Sequence, residues 1–165
     1  SLENHAHRPV YVHAKVCVVD DVWATVGSDN FNRRSWTHDS ELTAAVVDSD
    51  RDLREPVDPG GHGDGARRFA RELRLRLMRE HLGRADGDED DLLDPDAAVA
   101  AVRHGAAALD AWHAGGRRGP RPPGRLRAHV VERPPLWERV LAAPLYRYVI
   151  DPDGRPPRPK LRRAM

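Results

Sequence analysis

The chain has 165 residues, of which 39% are hydrophobic and 32% are charged, and its formal net charge is +1 with histidine neutral. This length is enough for one domain, but 14 prolines and a mean hydropathy of −0.69 predict that part of the chain lies outside a packed core. No apolar run approaches the roughly 20 residues of a transmembrane helix, which favours a cytoplasmic or peripheral membrane protein over an integral one. The near-neutral charge argues against a general nucleic-acid-binding surface, and the single cysteine, Cys17, excludes an internal disulfide.

The first predicted element is a β-strand over residues 10–19, which is rich in β-branched residues and stops at the turn-prone pair Asp20-Asp21. Successive side chains of a strand point to opposite faces, so His13 and Lys15, two residues apart, are predicted to share a face. An imidazole and an ammonium on one face can meet the same phosphate group.

A second strand is predicted over residues 22–26, and a tight turn, Gly27-Ser28-Asp29-Asn30, follows it. The backbone amides, the hydroxyl and the carboxamide of this turn can all donate hydrogen bonds to an oxyanion. Purely structural roles account for the same residues: Gly27 suits any tight turn, and Ser28 and Asn30 can cap a helix that begins near Phe31. These roles are compatible with phosphate binding.

The two segments together fill the pattern H-x-K-x4-D-x6-G-S-x-N at every position, with His13, Lys15, Asp20, Gly27, Ser28 and Asn30. The pattern resembles the HKD motif of the phospholipase D superfamily, and residues 31–35 and 39–42 resemble the downstream block of its lipid-hydrolysing branch. The resemblance implies an α/β (α+β) fold, a phospholipase D-like sheet flanked by helices, present here as an incomplete copy of the domain. It implies chemistry that needs no cofactor and no metal.

The resemblance also implies a role for each polar residue of the motif. His13 is the expected nucleophile, forming a phosphohistidine, or the general acid. Lys15, Ser28 and Asn30 are expected to bind the phosphate and to hold its negative charge during the displacement. Gly27 is the expected structural turn.

Two acidic residues complete the expected catalytic set. Glu41 matches the family's acidic residue that orients the imidazole, and Asp20 is expected to support the fold of the site rather than to react. A strand histidine taken alone is more often a surface or core residue than a catalytic one. Lysine at position 15 favours the catalytic interpretation, because only Lys15 and Lys160 among the 27 basic residues are lysines.

The chain holds one HKD motif, whereas the family uses two, one histidine attacking and the other protonating the leaving alcohol. A homodimer with a two-fold axis would bring two copies of His13 together. However, His13 lies twelve residues from the start and the chain begins with Ser1, which favours the C-terminal piece, carrying the second motif, of a longer enzyme or a truncated reading frame. The second half-site is then expected from missing sequence, a homodimer or another chain.

Beyond the motif the chain has a regular alternation of loops and helices. In chain order the pattern predicts a loop over 48–64, a helix within 65–82 that Gly83 stops, an acidic loop over 86–91, a helix from Asp94-Pro95 to about His113, a basic linker over 117–127, and a short helix and strand within 136–148. The apolar stripe of the 65–82 helix fits packing on its own sheet better than insertion into a membrane. Trp137, Tyr146 and Tyr148 are the expected packing anchors of the last predicted pair.

We expect a catalytic part over residues 1–83 and a helical, Pro/Arg-rich C-terminal extension over 84–165, with a loose tail from about residue 151. The arginines of the 117–127 linker and of the tail can touch an anionic membrane surface, although solvated charge accounts for them as well.

The sequence therefore predicts a phosphodiesterase of the phospholipase D type that hydrolyses or transfers the headgroup of a glycerophospholipid. One alternative is a cardiolipin-synthase-type phosphatidyltransferase, in which the alcohol of a second lipid intercepts the phosphohistidine. A truncated, inactive fragment of such an enzyme is another, and a nuclease is disfavoured by the charge balance. The headgroup, the acceptor and the oligomeric state stay open at this point.

Overall fold

The computed structural model describes residues 2–3, 9–10, 12–129 and 133–155. Its elements are β1 (Leu2–Glu3), β2 (Pro9–Val10), β3 (Lys15–Val19), β4 (Trp23–Gly27), α1 (Arg33–Thr37), β5 (Thr43–Val46), α2 (Arg68–Leu82), α3 (Asp90–Leu93), α4 (Pro95–Ala114), α5 (Leu136–Leu145) and a π-helical segment, Tyr146–Ile150. The mixture of helices with a small sheet agrees with the predicted α+β class. The chain forms two compact units: unit 1 comprises residues up to Val26 and residues 44–131, and unit 2 comprises residues 27–43 and those from 132 onward.

The sheet is three-stranded, in the order β3-β4-β5. A three-residue turn joins β3 to β4, with the Val22 amide donating to the Val19 carbonyl over 2.9 Å, so these two strands run antiparallel. The strand predicted over residues 22–26 is confirmed as β4.

The strand predicted over residues 10–19 is wrong in its first half. Val10 ends β2, where it pairs antiparallel with Leu2, and β3 begins only at Lys15. His13 lies between the two strands, so strand alternation does not place it on the same face as Lys15. Tyr11 lies outside the described residues.

The core of unit 1 forms where α2 meets α3 and α4. Its buried side chains are Leu75, Leu82, Leu92 and Ala98, with Met78, Leu93, Ala101, Val102 and Leu126 packed against them. α2 also packs against β3, which confirms the expectation that this helix lies on its own sheet. The cluster joins residues on both sides of the boundary predicted at residue 83.

The two long helices of unit 1 begin and end close to where the sequence predicts. α2 stops at Gly83, which has the left-handed φ of 71° that glycine adopts without strain. α4 is capped by Asp94, whose Oδ1 accepts a hydrogen bond from the Ala97 amide over 2.8 Å, and Pro95 occupies the first turn. The loop predicted over 86–91 is wrong at its end, because Asp90 and Asp91 open α3.

The helix α5 runs directly into the π-helical segment, so the strand predicted near residue 148 is wrong. The expected packing anchors are also wrong, since Trp137, Tyr146 and Tyr148 are 63%, 52% and 72% exposed. In the described part of the chain, no helix is both long and apolar enough to cross a membrane.

The start of the C-terminal tail is held in place rather than loose. Asp151 is buried and accepts hydrogen bonds from the Arg34 amide over 2.8 Å and from Arg33 Nε over 3.3 Å. The Gly154 amide donates to Thr37 Oγ1 over 2.8 Å. The prediction of a loose tail from about residue 151 is therefore wrong for these residues, and residues 156–165 lie outside the described part.

Candidate active site

The two basic residues of the motif lie where the sheet begins. Lys15 is the first residue of β3 and is half-buried, and His13 lies two residues before it in exposed, irregular chain. An exposed imidazole can be reached by a phosphodiester from solution or from a lipid surface. The half-burial of Lys15 limits the positions that its ammonium can take.

The turn after β3 contains two consecutive aspartates with different environments. Asp20 and Asp21 have φ angles of 52° and 56°, a left-handed conformation that aspartate tolerates better than most residues. Asp20 is exposed and lies against Gly60, where a Cβ would come within 2.8 Å of the Asp20 side chain. Asp21 is buried, so the turn directs one carboxylate outward and its neighbour into unit 1.

Sequence reasoning missed the buried ion-pair network around Asp21. Arg71 Nε donates to Asp21 Oδ2 over 3.0 Å, and Arg74 donates to both oxygens of Asp21 over 2.6 and 2.7 Å. Arg71 also reaches Asp52 Oδ1 at 3.4 Å. A helical projection of α2 holds the missed signal: both arginines fall within the apolar stripe that includes Leu75, and an arginine there needs a buried acid.

A second guanidinium keeps the Asp52 carboxylate ionised. Arg54 donates to both oxygens of Asp52, and these hydrogen bonds lower the pKa of the Asp52 carboxyl to about 2, against the desolvation that would raise it. Asp52 therefore presents a fixed negative charge to Arg71 over the ordinary pH range.

In unit 2, hydrogen bonds join Ser28 of the motif turn to Glu41 and Leu42, which lie just before β5. The Ser28 amide donates to the Leu42 carbonyl over 3.0 Å, and the Leu42 amide donates back to Ser28 Oγ over 3.1 Å. The Ser28 hydroxyl donates to Glu41 Oε2 over 2.6 Å. The structure therefore brings Ser28 and Glu41 together, and both donors of Ser28 are directed at protein acceptors.

Gly27 is required by this loop for reasons of space. A Cβ at position 27 would lie 2.6 Å from the Leu42 carbonyl oxygen and 2.7 Å from Thr43 Cα, closer than real Cβ atoms come to backbone. Because glycine has no side chain, the backbone at the end of β4 can contact the backbone of Leu42 and Thr43 closely. The space at position 27 therefore suits glycine.

The helix predicted near Phe31 exists but is capped by a different residue. Asn32, rather than Ser28 or Asn30, precedes α1, and its Oδ1 accepts a hydrogen bond from the Ser35 amide over 2.9 Å. Asn30 is exposed, and its carbonyl accepts from the Asn32 amide over 2.8 Å. The Asn30 carboxamide is thus left at the surface of the turn, where it can donate to an anion.

The model of the family described as "Cardiolipin synthase, PLD-like domain" matches residues 2–56, the segment that contains the whole motif and the loop to Glu41. Phospholipase D zeta 1 of Arabidopsis thaliana is 40% identical over 93 residues, which cover 54% of this chain and 8% of that protein. These matches support the phospholipase D superfamily for the segment that contains the motif.

Two further relatives match about the same proportion of this chain. Phospholipase D1 of Schizosaccharomyces pombe is 44% identical over 85 residues, covering 49% of this chain and 6% of that protein. Phospholipase D1 of Homo sapiens is 39% identical over 88 residues, covering 52% and 8%. The match thus spans less than a tenth of the length of each of these relatives, and no solved structure matches the chain.

Proposed function

We propose that this chain carries one half-site of a phospholipase D-type phosphodiesterase, which cleaves the headgroup ester of a glycerophospholipid through a phosphohistidine at His13. One observation supports this most directly: the pattern is complete and lies within the segment that the family model matches. The relatives' names favour headgroup hydrolysis over phosphatidyl transfer to a second lipid.

In the first step, a ring nitrogen of neutral His13 attacks phosphorus, the P–N bond forms and the bond from phosphorus to the headgroup oxygen breaks. The leaving alcohol takes a proton from the histidine of a second HKD motif, which another segment or another chain supplies. In the second step water attacks phosphorus, gives a proton to that second histidine and releases His13, leaving phosphatidic acid. Interception by a lipid alcohol instead of water would make the enzyme a phosphatidyltransferase.

Within unit 1, Lys15 supplies a compact positive charge for the phosphate oxygens, which carry more negative charge as phosphorus becomes five-coordinate. In unit 2, the exposed Asn30 carboxamide is a donor that we assign to phosphate binding. Ser28 acts differently, because its hydroxyl donates to Glu41 Oε2 over 2.6 Å and so fixes the position of that carboxylate. Asp20 supports the turn after β3.

The test is turnover of phosphatidylcholine vesicles and of bis(p-nitrophenyl) phosphate by the wild-type chain and by His13→Asn. Light scattering gives the mass of each protein in solution. His62→Asn, the same change in the loop after β5, is the matched control. We expect His13→Asn to abolish turnover and His62→Asn to retain it. Equal turnover in both variants would overturn the assignment of His13.

The same assay separates the remaining alternatives. A dimeric mass with turnover means that two copies of this chain complete the site. A folded monomer without turnover means that the second half-site lies elsewhere, and the chain alone is then an inactive fragment. Adding phosphatidylglycerol as acceptor distinguishes the products, since a phosphatidyltransferase forms a diphosphatidyl lipid and a hydrolase releases phosphatidic acid.

A further inference from the structure

The helix α5 and the π-helical segment that continues it present apolar side chains to solvent along their whole length. More than half of the surface of each of Leu136, Trp137, Val140, Leu141, Leu145 and Tyr148 is exposed. No residue of either element is buried. An apolar surface of this extent marks an interaction site, because isolated monomers rarely leave so much apolar surface exposed.

These side chains are not distributed evenly around α5. At 100° per residue, Leu136, Trp137, Val140, Leu141 and Leu145 fall within one half of its circumference. Glu138 and Arg139 fall within the other half. A helix with one broad apolar face and charges opposite it is suited to lie along the boundary between water and an apolar phase.

The charges along this stretch are mainly positive. Residues 136–150 contain two arginines, Arg139 and Arg147, and one acidic residue, Glu138. The Arg147 guanidinium lies 5.8 Å from the centre of the Tyr148 ring, so it stays beside an aromatic side chain at the surface. Tryptophan and tyrosine prefer the headgroup level of a bilayer, and arginine can extend to anionic headgroups from the same depth.

The exposed helix is tied to the element that carries the motif turn. Asp151, the residue after the π-helical segment, is buried against Arg33 and Arg34 at the start of α1. α1 follows the Gly27–Asn30 turn after two residues, and all of these residues belong to unit 2. A surface that binds this helix therefore lies close to the proposed phosphate-binding turn.

We propose that residues 136–150 are a membrane-binding element that docks this chain on an anionic phospholipid surface and presents lipid phosphate to Asn30. The proposal rests on the proposed function for its lipid substrate. Apolar and aromatic side chains enter the interface, and Arg139 and Arg147 contact anionic headgroups. A protein partner or a second copy of the chain would use the apolar face without requiring anionic lipid.

The test is cosedimentation of the full chain with vesicles of phosphatidylcholine alone and with vesicles of equal parts phosphatidylcholine and phosphatidylglycerol. We expect tighter binding to the anionic vesicles. The double variant Trp137→Ala/Leu141→Ala should lose binding to both by at least about tenfold. Arg139→Gln/Arg147→Gln should weaken binding to anionic vesicles by about tenfold and reduce its salt dependence.

Matched controls come from unit 1, where Leu53 and Arg76 are exposed: Leu53→Ala and Arg76→Gln should bind vesicles like the wild type. Turnover of the soluble bis(p-nitrophenyl) phosphate separates this proposal from the proposed function, because loss of docking lowers turnover on vesicles and leaves the soluble substrate unaffected. Vesicle binding without any turnover would support the membrane element independently of the catalytic assignment. Unchanged binding in both double variants, or a dimer that Trp137→Ala/Leu141→Ala converts to a monomer, would overturn the proposal.

Discussion

Arg71 and Asp21 form an ion pair in which both side chains are buried, at 0% and 2% exposure, with 3.0 Å between Nε and Oδ2. Asp21 lies in the turn after β3, and Arg71 lies on α2. The same guanidinium donates to the carbonyl oxygens of Arg54 and Pro56. One side chain thus joins the turn after β3, the segment after β5 and the main helix of unit 1.

Replacing Arg71 with methionine removes these ion pairs and hydrogen bonds while keeping much of the length of the side chain. Asp52 and two carbonyl groups then lose a buried donor, and Asp21 keeps only Arg74. Because an unpaired buried charge is costly, we expect the free energy of unfolding to fall by about 3 kcal/mol, measured by urea denaturation.

Arg76→Met is the control for this change, since Arg76 is on the same helix but exposed. We expect it to alter the free energy of unfolding by less than about 0.5 kcal/mol. Similar effects of the two substitutions would show that the buried network does not stabilise unit 1.

The depressed pKa of Asp52 predicts a specific loss of stability in acid. Its carboxyl group has a pKa of about 2 in the folded chain against an ordinary value of 3.8, mainly because Arg54 donates to it. The stabilisation from Asp52 is therefore complete above about pH 4 and is lost as the pH falls towards 2, by about 1 to 2 kcal/mol.

Urea denaturation at several pH values tests this, with Asp52→Asn compared with the exposed Asp64→Asn. The Asp52 variant should be less stable than the wild type at about pH 6, and the difference should narrow in acid by that amount. A difference that stays constant down to about pH 2 would contradict the folded-state pKa.

Gly27→Ala should disrupt the loop that holds Glu41. The new Cβ would lie 2.6 Å from the Leu42 carbonyl oxygen, and the backbone there must move to accommodate it. We expect the free energy of unfolding to fall by about 2 kcal/mol, as in overpacked sites.

Gly115→Ala offers a comparison without that clash, because the nearest atom to its Cβ would be the Ala111 carbonyl oxygen at 3.4 Å. It should be neutral or slightly stabilising. Equal destabilisation by both substitutions would show that the close approach at Gly27 has no special role.

Lys15→Arg tests whether the site needs a compact ammonium. A guanidinium keeps the charge but spreads it over a planar group that cannot make the same point contact. In a preparation that turns over, kcat/KM should fall by about 100-fold, the usual effect of losing one transition-state donor. Lys160→Arg, the same change at the other lysine, should leave kcat/KM unchanged, and equal activity of both variants would exclude a specific role for Lys15.

The helices α2 and α4 could be predicted from the sequence, because each depends on signals within a few residues. Apolar spacing sets the buried face of α2, Gly83 stops it, and Asp94 with Pro95 starts α4. The strand β4 and the Gly27 turn are likewise local. The resemblance to the phospholipase D superfamily could be predicted for the same reason, since the motif residues lie close together in the chain.

The partners of the motif residues could not be predicted in this way. Strand periodicity cannot reveal that residues 12–14 lie outside the strands. The Asp21–Arg71 pair joins residues 50 positions apart, and the Asp151 contacts with Arg33 and Arg34 span 118 and 117 positions. Long-range contacts of this kind depend on which surfaces meet in three dimensions.

Residue types and their spacing were enough to establish the chemistry available to this protein: an imidazole, a lysine, a glycine-serine turn and a carboxylate in the pattern of the phospholipase D superfamily. How those groups are used follows from the tertiary structure alone. The fold directs the Ser28 hydroxyl to Glu41, buries Asp21 rather than Asp20, and leaves the apolar residues of α5 exposed. A residue's type fixes which bonds its side chain can make, whereas burial and partner choice depend on distant segments that compete for the same groups.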